Sequence, residues 1–272
     1  MSVVSISKTE AVIDQVWSGL KHEARDYTAK EPALTSVLYA SILDQKTFCR
    51  ALAHHLAEKL ATPDLAALML RKTFMEIFRE QIGDAAGIVE SAAKDLVAVR
   101  ERDPACNSYL QCFLYFKGFL ALQTYRVAHA LWKQNRHLLA YHLQSRSSEL
   151  FGVDINPAAK FGNGIMLDHA TGLVVGETSV IGDGCSILHG VTLGGTGKDS
   201  EDRHPKIGKN VLIGAGAKIL GNITVGESAR IASGSVVLKN VPAHCTFAGV
   251  PAIAVGGPCC ENPAAQMDQT LD

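Results

Sequence analysis

An aliphatic residue returns at every sixth position through much of the C-terminal half of the chain. The positions are Ile207, Ile213, Ile219, Val225, Ile231 and Val237. A period of six fits neither the 3.6-residue turn of an α-helix nor the two-residue alternation of a simple strand. It is typical of a solenoid of very short strands joined by tight turns. We therefore predict a parallel β-helix in which three hexads make one triangular coil and the aliphatic side chains stack inside it.

The same repeat extends upstream with two irregularities. It runs through Ile155, Phe161 and Leu167, slips by two residues, and resumes at Val175, Ile181, Ile187 and Leu193. Between Leu193 and Ile207 the chain is polar and has no aliphatic residue, so this stretch cannot form a wall of a coil. We predict that residues 195–206 form a projecting loop, and loops on rigid scaffolds often carry function.

The first half of the chain follows a helical pattern. Apolar residues recur at steps of three and four, and Thr62-Pro63 predicts a helix over 64–79. Asp84 is a candidate start for a helix to Arg100, which Asp103-Pro104 should end. The apolar stretch 109–132 contains interrupting polar residues and glycine, so it predicts a buried helix pair. The resulting fold class is α+β, with a helical domain at 1–152, a β-helix at 153–257 and a flexible tail at 258–272.

Composition excludes several classes of protein. The 272 residues carry a formal net charge of −1, which gives no electrostatic reason to expect nucleic acid or an anionic membrane as a partner. No apolar run approaches the roughly 20 residues needed to span a bilayer. The start of the chain lacks the features of a signal peptide, and the seven cysteines are irregularly spaced. We expect reduced thiols, a cytoplasmic location and no bound metal.

Three histidines fall at the irregular parts of the repeat. His169 lies beside the two-residue slip, His189 lies within a coil, and His204 lies in the predicted loop. Asp154 precedes His169 by 15 residues, and coils of about 18 residues would bring the two together. An aspartate beside an imidazole fixes its tautomer and stabilises the imidazolium. No Gly-x-Ser-x-Gly motif supplies a serine nucleophile, so the pattern favours direct transfer with His169 as a general base.

The predicted loop offers a second pair, Arg203 and His204. A guanidinium holds a carboxylate through two parallel hydrogen bonds. The glycine-rich segment 194–197 does not have the spacing of a phosphate-binding P-loop. It does allow close approach of the backbone to an extended ligand.

Several motifs together resemble one family, the serine O-acetyltransferases. The most specific are Leu-Asp-His-Ala-Thr-Gly at 167–172 and Asp-Arg-His-Pro at 202–205. The other matching segments are 154–160, 191–198, 102–105 and 115–119. The resemblance covers nearly the whole chain to about Gly257. The hexad repeat alone would indicate only an acyltransferase of the hexapeptide class.

The resemblance implies a fold, an assembly and a reaction. It implies left-handed coiling, an exception to the usual right-handed crossover, and trimers of β-helices that pair into a hexamer through their helical domains. Each active site would be shared between adjacent subunits. The implied reaction transfers acetyl from acetyl-CoA to the hydroxyl of L-serine in cysteine biosynthesis, with L-cysteine as an inhibitor. Acetyl-CoA is then a co-substrate, and no tightly bound cofactor is expected.

The resemblance also implies residue roles. His169 would be the general base and Asp154 its orienting partner. The residues lining the serine site would be Asp103, Asp168, Arg203 and His204. The residues bordering the pantetheine arm of acetyl-CoA would be Gly195, Ala215 and Ser233.

Lys218 and Arg230 occupy the same place in their hexads. From this spacing we expect both to face one edge of the solenoid, near the phosphates of the cofactor.

Two positions depart from the family pattern. Ile253 stands where many relatives have an arginine after Gly-Val-Pro-Ala, which would weaken contact with the cofactor phosphates. The chain ends in Asp272, where many relatives have an isoleucine that inserts into O-acetylserine sulfhydrylase. An aspartate fits an apolar pocket poorly, so this residue argues against a complex with that enzyme, which stays open as a partner.

Three other functions stay open at this point. Another hexapeptide acetyltransferase would act on a sugar or xenobiotic hydroxyl, but Asp103 in the helical half suits an ammonium group. A zinc-dependent hydratase on the same solenoid would use His169, His189 and His204 as ligands. A structural or binding protein would leave the relation between Asp154 and His169 without an explanation.

Overall fold

The structure is a computed structural model that describes residues 3–80, 87–197, 200–256 and 260–270. Helices occupy the chain as far as Phe151, and short strands follow from Val153. The α-helices are α1 (Val3–Lys30), α2 (Thr35–Leu38), α3 (Phe48–Leu60), α4 (Ala67–Glu80), α5 (Ile88–Arg102), α6 (Tyr109–Tyr115), α7 (Lys117–Lys133), α8 (His137–Phe151) and, near the end, α9 (Pro263–Gln266). A 3₁₀ turn at Pro32–Leu34 and a π-helical turn at Tyr39–Leu43 flank α2.

The strands build a three-sided parallel solenoid. They are β1 (Val153–Ile155), β2 (Lys160–Phe161), β3 (Met166–Leu167), β4 (Leu173–Val175), β5 (Val180–Ile181), β6 (Ser186–Ile187), β7 (Thr192–Gly194), β8 (Lys206–Ile207), β9 (Leu212–Ile213), β10 (Lys218–Leu220), β11 (Thr224–Val225), β12 (Arg230–Ile231), β13 (Val236–Val237), β14 (Thr246–Gly249) and β15 (Ala252–Ala254). Sheet I has the order β1-β4-β7-β10-β13, sheet II β2-β5-β8-β11 and sheet III β3-β6-β9-β12-β14-β15. Only the β14–β15 pair among these strands is antiparallel. The predicted β-helix is confirmed, whereas its left-handed coiling stays a prediction.

Strand register shows where the coils differ in length. Val174 pairs with Thr192, 18 residues further on, which is three hexads. The first coil is two residues longer, because Val153 pairs with Leu173. The third is eight residues longer, because Thr192 pairs with Lys218. The two irregularities read from the sequence are therefore real insertions into a regular coil.

The repeating aliphatic residues form the interior of the solenoid. In sheet I the buried column consists of Ile155, Val175, Leu193, Ile219 and Val237. Phe161 is half-buried, and its ring packs 4.8 Å from that of Tyr125 in α7. A contribution of roughly 25 cal/mol for each Å² of apolar surface removed from water makes such columns the main source of solenoid stability.

A buried ion pair joins the helical half to the first coil. Arg126 of α7 forms a bidentate pair with Asp95 of α5, with closest atoms 2.9 Å apart. Asp95 also accepts the backbone N–H of Ile165 at 2.9 Å, and Arg126 donates to the carbonyl of Gly162 at 2.8 Å. A β-carbon on Gly118 would lie 2.0 Å from the carbonyl oxygen of Leu167. Together, α5 and α7 fix the position of β3 and the corner that follows it.

The structure corrects one predicted helix start. The helix expected over 64–79 begins at Ala67, because the Thr62 hydroxyl accepts the N–H of Leu65 and closes a separate turn. The helix expected from Asp84 is α5, but Asp84 lies outside the described residues. It ends at Arg102 with Asp103 as its cap, before Pro104 as predicted. The predicted buried pair over 109–132 is confirmed as α6 and α7.

Residues 260–270, part of the tail for which we predicted flexibility, contact the solenoid. The side chain of Asn262 caps α9, and Ala264 is fully buried, with its carbonyl accepting a hydrogen bond from Ser186 Oγ at 2.7 Å. Asp272, on which the expectation about the sulfhydrylase rests, lies outside the described residues. Within the described parts of the chain, none of the helices has the length and apolar character that crossing a bilayer requires.

Candidate active site

One corner of the solenoid carries four equivalent residues along its length. Each lies two positions after the last residue of a strand in sheet III, where the chain turns towards sheet I. These four residues, which we call the histidine edge, are His169, His189, Ala215 and Ser233. The His169 and His189 rings meet edge to face, with centroids 5.9 Å apart. The structure therefore aligns the predicted base with two residues predicted to border the cofactor.

The extra residues of the first coil change the shape of this corner. The other three corners turn at Gly190, Gly216 and Gly234, all with positive φ. In the first coil, His169 and Ala170 are themselves left-handed, with φ of 53° and 59°. Non-glycine residues adopt this conformation at a cost of about 1–3 kcal/mol, and such residues cluster at functional sites. The turn leaves the side chain of His169 75% exposed.

One carboxylate lies beside His169, and a second acts on the first. Nε2 of His169 is 3.9 Å from Oδ1 of Asp168. Burial raises the pKa of the Asp168 carboxyl; the charge of His169 opposes this shift, and the neighbouring Asp103 carboxylate reinforces it. Asp103 is held in its turn by the backbone N–H of Ala105, which donates to Oδ1 at 2.8 Å. The histidine edge thus has two acidic groups within reach of a cationic ligand.

Asp154 lies in a different environment. It sits in β1 opposite Val174, and its Oδ1 accepts a hydrogen bond from Gln144 of α8 at 2.6 Å. Among the hydrogen bonds of the described residues, none joins Asp154 to His169. The first coil is two residues longer than the 18 residues assumed for this pair, and the orienting role of Asp154 stays a prediction.

The loop residues gather at the next corner, between sheets I and II. We call this group the loop edge and define it by Gly195, Arg203 and His204 together with Gly176–Thr178. The hydroxyl of Thr178 accepts the backbone N–H groups of Arg203 at 3.1 Å and His204 at 3.0 Å. The imidazole Nδ1 of His204 lies 2.9 Å from the same hydroxyl and accepts the N–H of Thr178 at 3.2 Å. These contacts place the proton of neutral His204 on Nε2.

Close packing completes the loop edge. A β-carbon on Gly176 would lie 2.0 Å from the His204 ring, so only glycine fits there. Burial lowers the pKa of His204, and the charge of Arg203 lowers it further. Arg203 pairs with Glu177 at 2.7 Å and donates to two loop carbonyls. The guanidinium is therefore held beside an open depression lined by Gly195, Gly197, Ser200, Arg203 and His204.

The two edges are separated by one face of the solenoid. A face is one hexad wide, and six extended residues span roughly 20 Å. His169 and His189 share an edge, but His204 lies on the other one, so the three histidines do not converge within one chain. Among the described residues there is no group of three or more His, Cys, Asp or Glu side chains that could hold a metal ion.

The structure corrects the expectation that Lys218 and Arg230 share an edge. Lys218 begins β10 in sheet I, whereas Arg230 begins β12 in sheet III. They are two hexads apart, and only residues three hexads apart lie on the same face. The ammonium of Lys218 donates to the carbonyl of Gly190. Arg230 donates to the carbonyl of Asp268 at 3.0 Å.

Sequence reasoning missed the residues that hold the loop. Gly176, Glu177 and Thr178 carry no catalytic signature, and their role depends on a pairing across 26 residues. That span is one 18-residue coil plus the eight-residue insertion. The pairing could therefore be predicted from the sequence once the whole loop is assigned to a single coil. His189 was noticed, but its alignment with His169 required the register of sheet III.

Comparisons with known proteins agree over both halves of the chain. The family described as "Serine acetyltransferase, N-terminal" matches residues 16–124, and "Bacterial transferase hexapeptide (six repeats)" matches residues 204–239. The chain is 54% identical over 264 residues to serine acetyltransferase 1, chloroplastic, of Arabidopsis thaliana. That alignment covers 94% of this chain and 82% of the relative.

Two solved structures are similar in fold and sequence. A serine acetyltransferase in complex with cysteine superimposes with a TM-score of 0.91 at 50% identity, covering 95% of this chain and 99% of the other. The serine acetyltransferase of Brucella abortus strain S19 in complex with coenzyme A has a TM-score of 0.87 at 52% identity, covering 91% and 98%.

Proposed function

Because the chain belongs to the serine acetyltransferase family, we propose that it transfers the acetyl group of acetyl-CoA to the hydroxyl of L-serine. The products are O-acetyl-L-serine and CoA. The observation that supports this most directly is the pairing of an exposed imidazole, His169, with the acidic groups Asp103 and Asp168 at the same corner. That set provides a base for the hydroxyl and negative charge for the ammonium of an amino acid.

His169 acts as the general base in this proposal. Its neutral imidazole takes the hydroxyl proton as the serine oxygen attacks the thioester carbonyl. The carbon–sulfur bond then breaks, and the imidazolium returns the proton to the departing CoA sulfur. General-base catalysis typically contributes roughly 10²–10⁴-fold to the rate. Asp154 supports the surrounding corner through Gln144 and would orient the imidazole after a side-chain rotation.

Serine is anchored at both of its charged ends. The carboxylates of Asp103 and Asp168 face the ammonium, and the raised pKa of Asp168 reflects a buried carboxyl that gains from a cationic partner. Arg203 binds the substrate carboxylate through its planar fork. His204 supports it with the Nε2–H that its contacts to Thr178 leave free.

These anchors require two chains. Serine is far shorter than the roughly 20 Å face that separates the histidine edge from the loop edge, so one chain cannot offer both edges to one molecule. In a cyclic trimer, the histidine edge of one subunit meets the loop edge of the next. We propose this homotrimer, with two trimers paired through the helical domains, as the active assembly.

Mixing two inactive variants tests the shared site. His169→Ala damages the histidine edge, and Arg203→Ala damages the loop edge. When both are co-expressed at equal levels, a random mixture places two intact edges together at about one site in four. We expect about a quarter of wild-type turnover at low serine. Activity no higher than that of the separate variants would show that each chain holds a complete site.

Acetyl-CoA is proposed to lie along the histidine edge. Ala215 and Ser233 continue the line of His169 and His189, and Gly195 would approach the pantetheine arm from the neighbouring subunit. Ser233 Oγ donates a hydrogen bond to the side chain of Gln269 in the tail at 3.0 Å. A cofactor that reaches Ser233 therefore has to displace this part of the tail. Lys218 and Arg230 remain candidates for phosphate contacts from two separate faces.

Cysteine fits the same anchors, because it differs from serine only by sulfur in place of the hydroxyl oxygen. We propose that L-cysteine inhibits the enzyme competitively against serine. The reduced thiols support a cytoplasmic location. Inhibition kinetics at varied serine, with alanine as the control ligand, test this. Cysteine inhibition that serine does not relieve would contradict a shared site.

A further inference from the structure

Arg102 is the last residue of α5 and directly precedes the proposed serine anchor Asp103. Its side chain is half-buried, and Nη1 donates to three groups at the start of β6. These are the carbonyls of Gly184 at 3.1 Å and Cys185 at 3.4 Å, and Ser186 Oγ at 3.1 Å. Within the described parts of the chain, Arg102 takes part in no ion pair. Its guanidinium therefore holds the end of a helix to the solenoid rather than neutralising a carboxylate.

The backbone carries this attachment directly to Asp103. Asp103 leaves the helix in an extended conformation, with φ of −94° and ψ of 108°, because the following Pro104 disfavours a helical residue before it. Adjacent Cα atoms are about 3.8 Å apart, so no flexible segment separates Arg102 from Asp103. The Asp103 carboxylate is fixed within its own turn by the N–H of Ala105 at 2.8 Å. A shift of this end of α5 therefore moves the carboxylate with it.

The same strand, β6, also positions the second proposed anchor, Asp168. The backbone N–H of Asp168 donates to the carbonyl of Ile187 at 2.9 Å. In the register of β3 and β6, Met166 pairs with Ser186. Arg102 contacts Ser186, one residue before the carbonyl that holds Asp168. Both carboxylates are thus attached to neighbouring residues of one strand, so their separation depends on the contacts of Arg102.

The two carboxylates repel each other, which makes this attachment important. Burial raises the pKa of Asp168, and the neighbouring Asp103 carboxylate raises it further, as expected of a nearby like charge. Two like charges tend to separate unless the backbone that carries them is held. An ammonium that enters between fixed carboxylates gains from both of them without first drawing them together.

We propose that Arg102 is a positioning residue of the serine site. Its contacts with β6 set where Asp103 lies relative to Asp168, and thereby the affinity for the ammonium of the substrate. Arg102 acts through Asp103 and does not itself bind the substrate. This inference rests on the proposed function, in which Asp103 is an anchor for that ammonium.

Steady-state kinetics of Arg102→Gln test this role. The serine KM should rise by up to about ten-fold, the size of one weakened charge-assisted contact. The kcat and the acetyl-CoA KM should change little, because only ground-state binding of serine is affected. Arg102→Lys keeps a charged donor near β6 and should recover part of the serine binding. Arg79→Gln is the matched control and should behave as wild type, because Arg79 is an exposed arginine in the last turn of another helix, α4.

A double variant tests whether Arg102 acts through Asp103. Asp103→Asn should itself raise the serine KM, because it removes the charge of the anchor. If Arg102 only positions that carboxylate, adding Arg102→Gln to Asp103→Asn should raise the serine KM little further. Melting temperatures of all variants show that each is folded at the assay temperature. Arg102→Lys carries the test by itself if Arg102→Gln yields no folded protein.

Three results would overturn the proposal. One is a serine KM in both Arg102 variants equal to that of Arg79→Gln while Asp103→Asn is impaired, which refutes the positioning role and leaves the anchor in place. Another is a parallel change in kcat and in the acetyl-CoA KM, which indicates a merely structural contact. The third is losses that multiply in the double variant, since Arg102 would then act independently of Asp103. An unchanged serine KM in Asp103→Asn alone would instead refute the proposed anchor, and the positioning role with it.

Discussion

The histidine edge and the loop edge are neighbouring corners of one solenoid, yet their side chains are held in opposite ways. His169 is three-quarters exposed, and its closest charged neighbour is 3.9 Å away. His204 is 7% exposed, with its ring packed on Gly176 and its Nδ1 bound to Thr178. In the proposed reaction, the base His169 has to be accessible to its substrates, whereas a residue that positions the substrate carboxylate has to be fixed.

Insertions of different length produce this contrast. At the corner of the first coil, which has two added residues, His169 and Ala170 are left-handed, and the side chain of His169 is 75% exposed. Eight added residues in the third coil are long enough for the loop to fold back onto Thr178, at the same corner of the previous coil. The Thr178 hydroxyl then satisfies two backbone donors of the loop at once. The short insertion thus accompanies the exposed His169, and the long insertion accompanies the fixed His204.

The largest effect is expected at the histidine edge. His169→Ala should lower kcat by roughly 10²–10⁴-fold, because it removes the proposed general base. His189→Ala is the matched control on the same edge and should lose much less. Steady-state CoA release measures both. Asp154→Asn should fall between them, since the imidazole would remain but be less well oriented.

Equal losses in the two histidine variants would remove the distinction between them and point to a ring pair acting together. Near-normal turnover in His169→Ala would end the general-base mechanism.

Sequence reasoning was strongest where one force dominates. The aliphatic hexads predicted the solenoid, because burial of apolar surface decides which residues face inwards. It also located both insertions and the histidine of each edge. It failed where position depends on counting hexads: Lys218 lies on a different face from Arg230. Thr178 was missed because its partners are defined only once the 26-residue coil is closed.

A smaller effect is expected when Arg203 of the loop edge becomes lysine. The charge remains, but the bidentate fork is lost. Charge-assisted hydrogen bonds contribute about 1.5–3 kcal/mol each, so the serine KM should rise by ten-fold or more with little change in the acetyl-CoA KM. The inhibition constant for cysteine should rise in parallel. An unchanged serine KM would mean that the loop does not reach the substrate carboxylate.

Thr178→Val tests whether the loop edge works because it is fixed. The substitution keeps the shape of the side chain but leaves the N–H groups of Arg203 and His204 without their acceptor. An unsatisfied buried donor costs about 1–3 kcal/mol, so the serine KM should rise by up to about ten-fold while kcat changes less. Thr224→Val is the exposed control. Unchanged kinetics would show that the loop holds its position without this hydroxyl.

The smallest effect concerns the pH dependence of stability at the loop edge. Burial lowers the pKa of His204, so the unfolded chain binds a proton more readily than the native state as the pH falls below about 6.5. Stability therefore decreases with falling pH through this window, and the decrease is complete below the native pKa. His204→Gln should lower the melting temperature at pH 7 but flatten its decline between pH 7 and 5 by a few degrees.

The exposed His22, whose side chain is 76% accessible, provides the control for this measurement. His22→Gln removes one exposed histidine outside the loop edge and supplies the reference slope of melting temperature against pH. His55 also contributes to the wild-type slope, since burial lowers its pKa to about 4, and that contribution is common to all three proteins. The difference between His204→Gln and His22→Gln therefore isolates the loop edge. Parallel slopes in these two variants would show that His204 titrates as freely as a surface residue, and the contrast between a fixed and a reachable edge would then be lost.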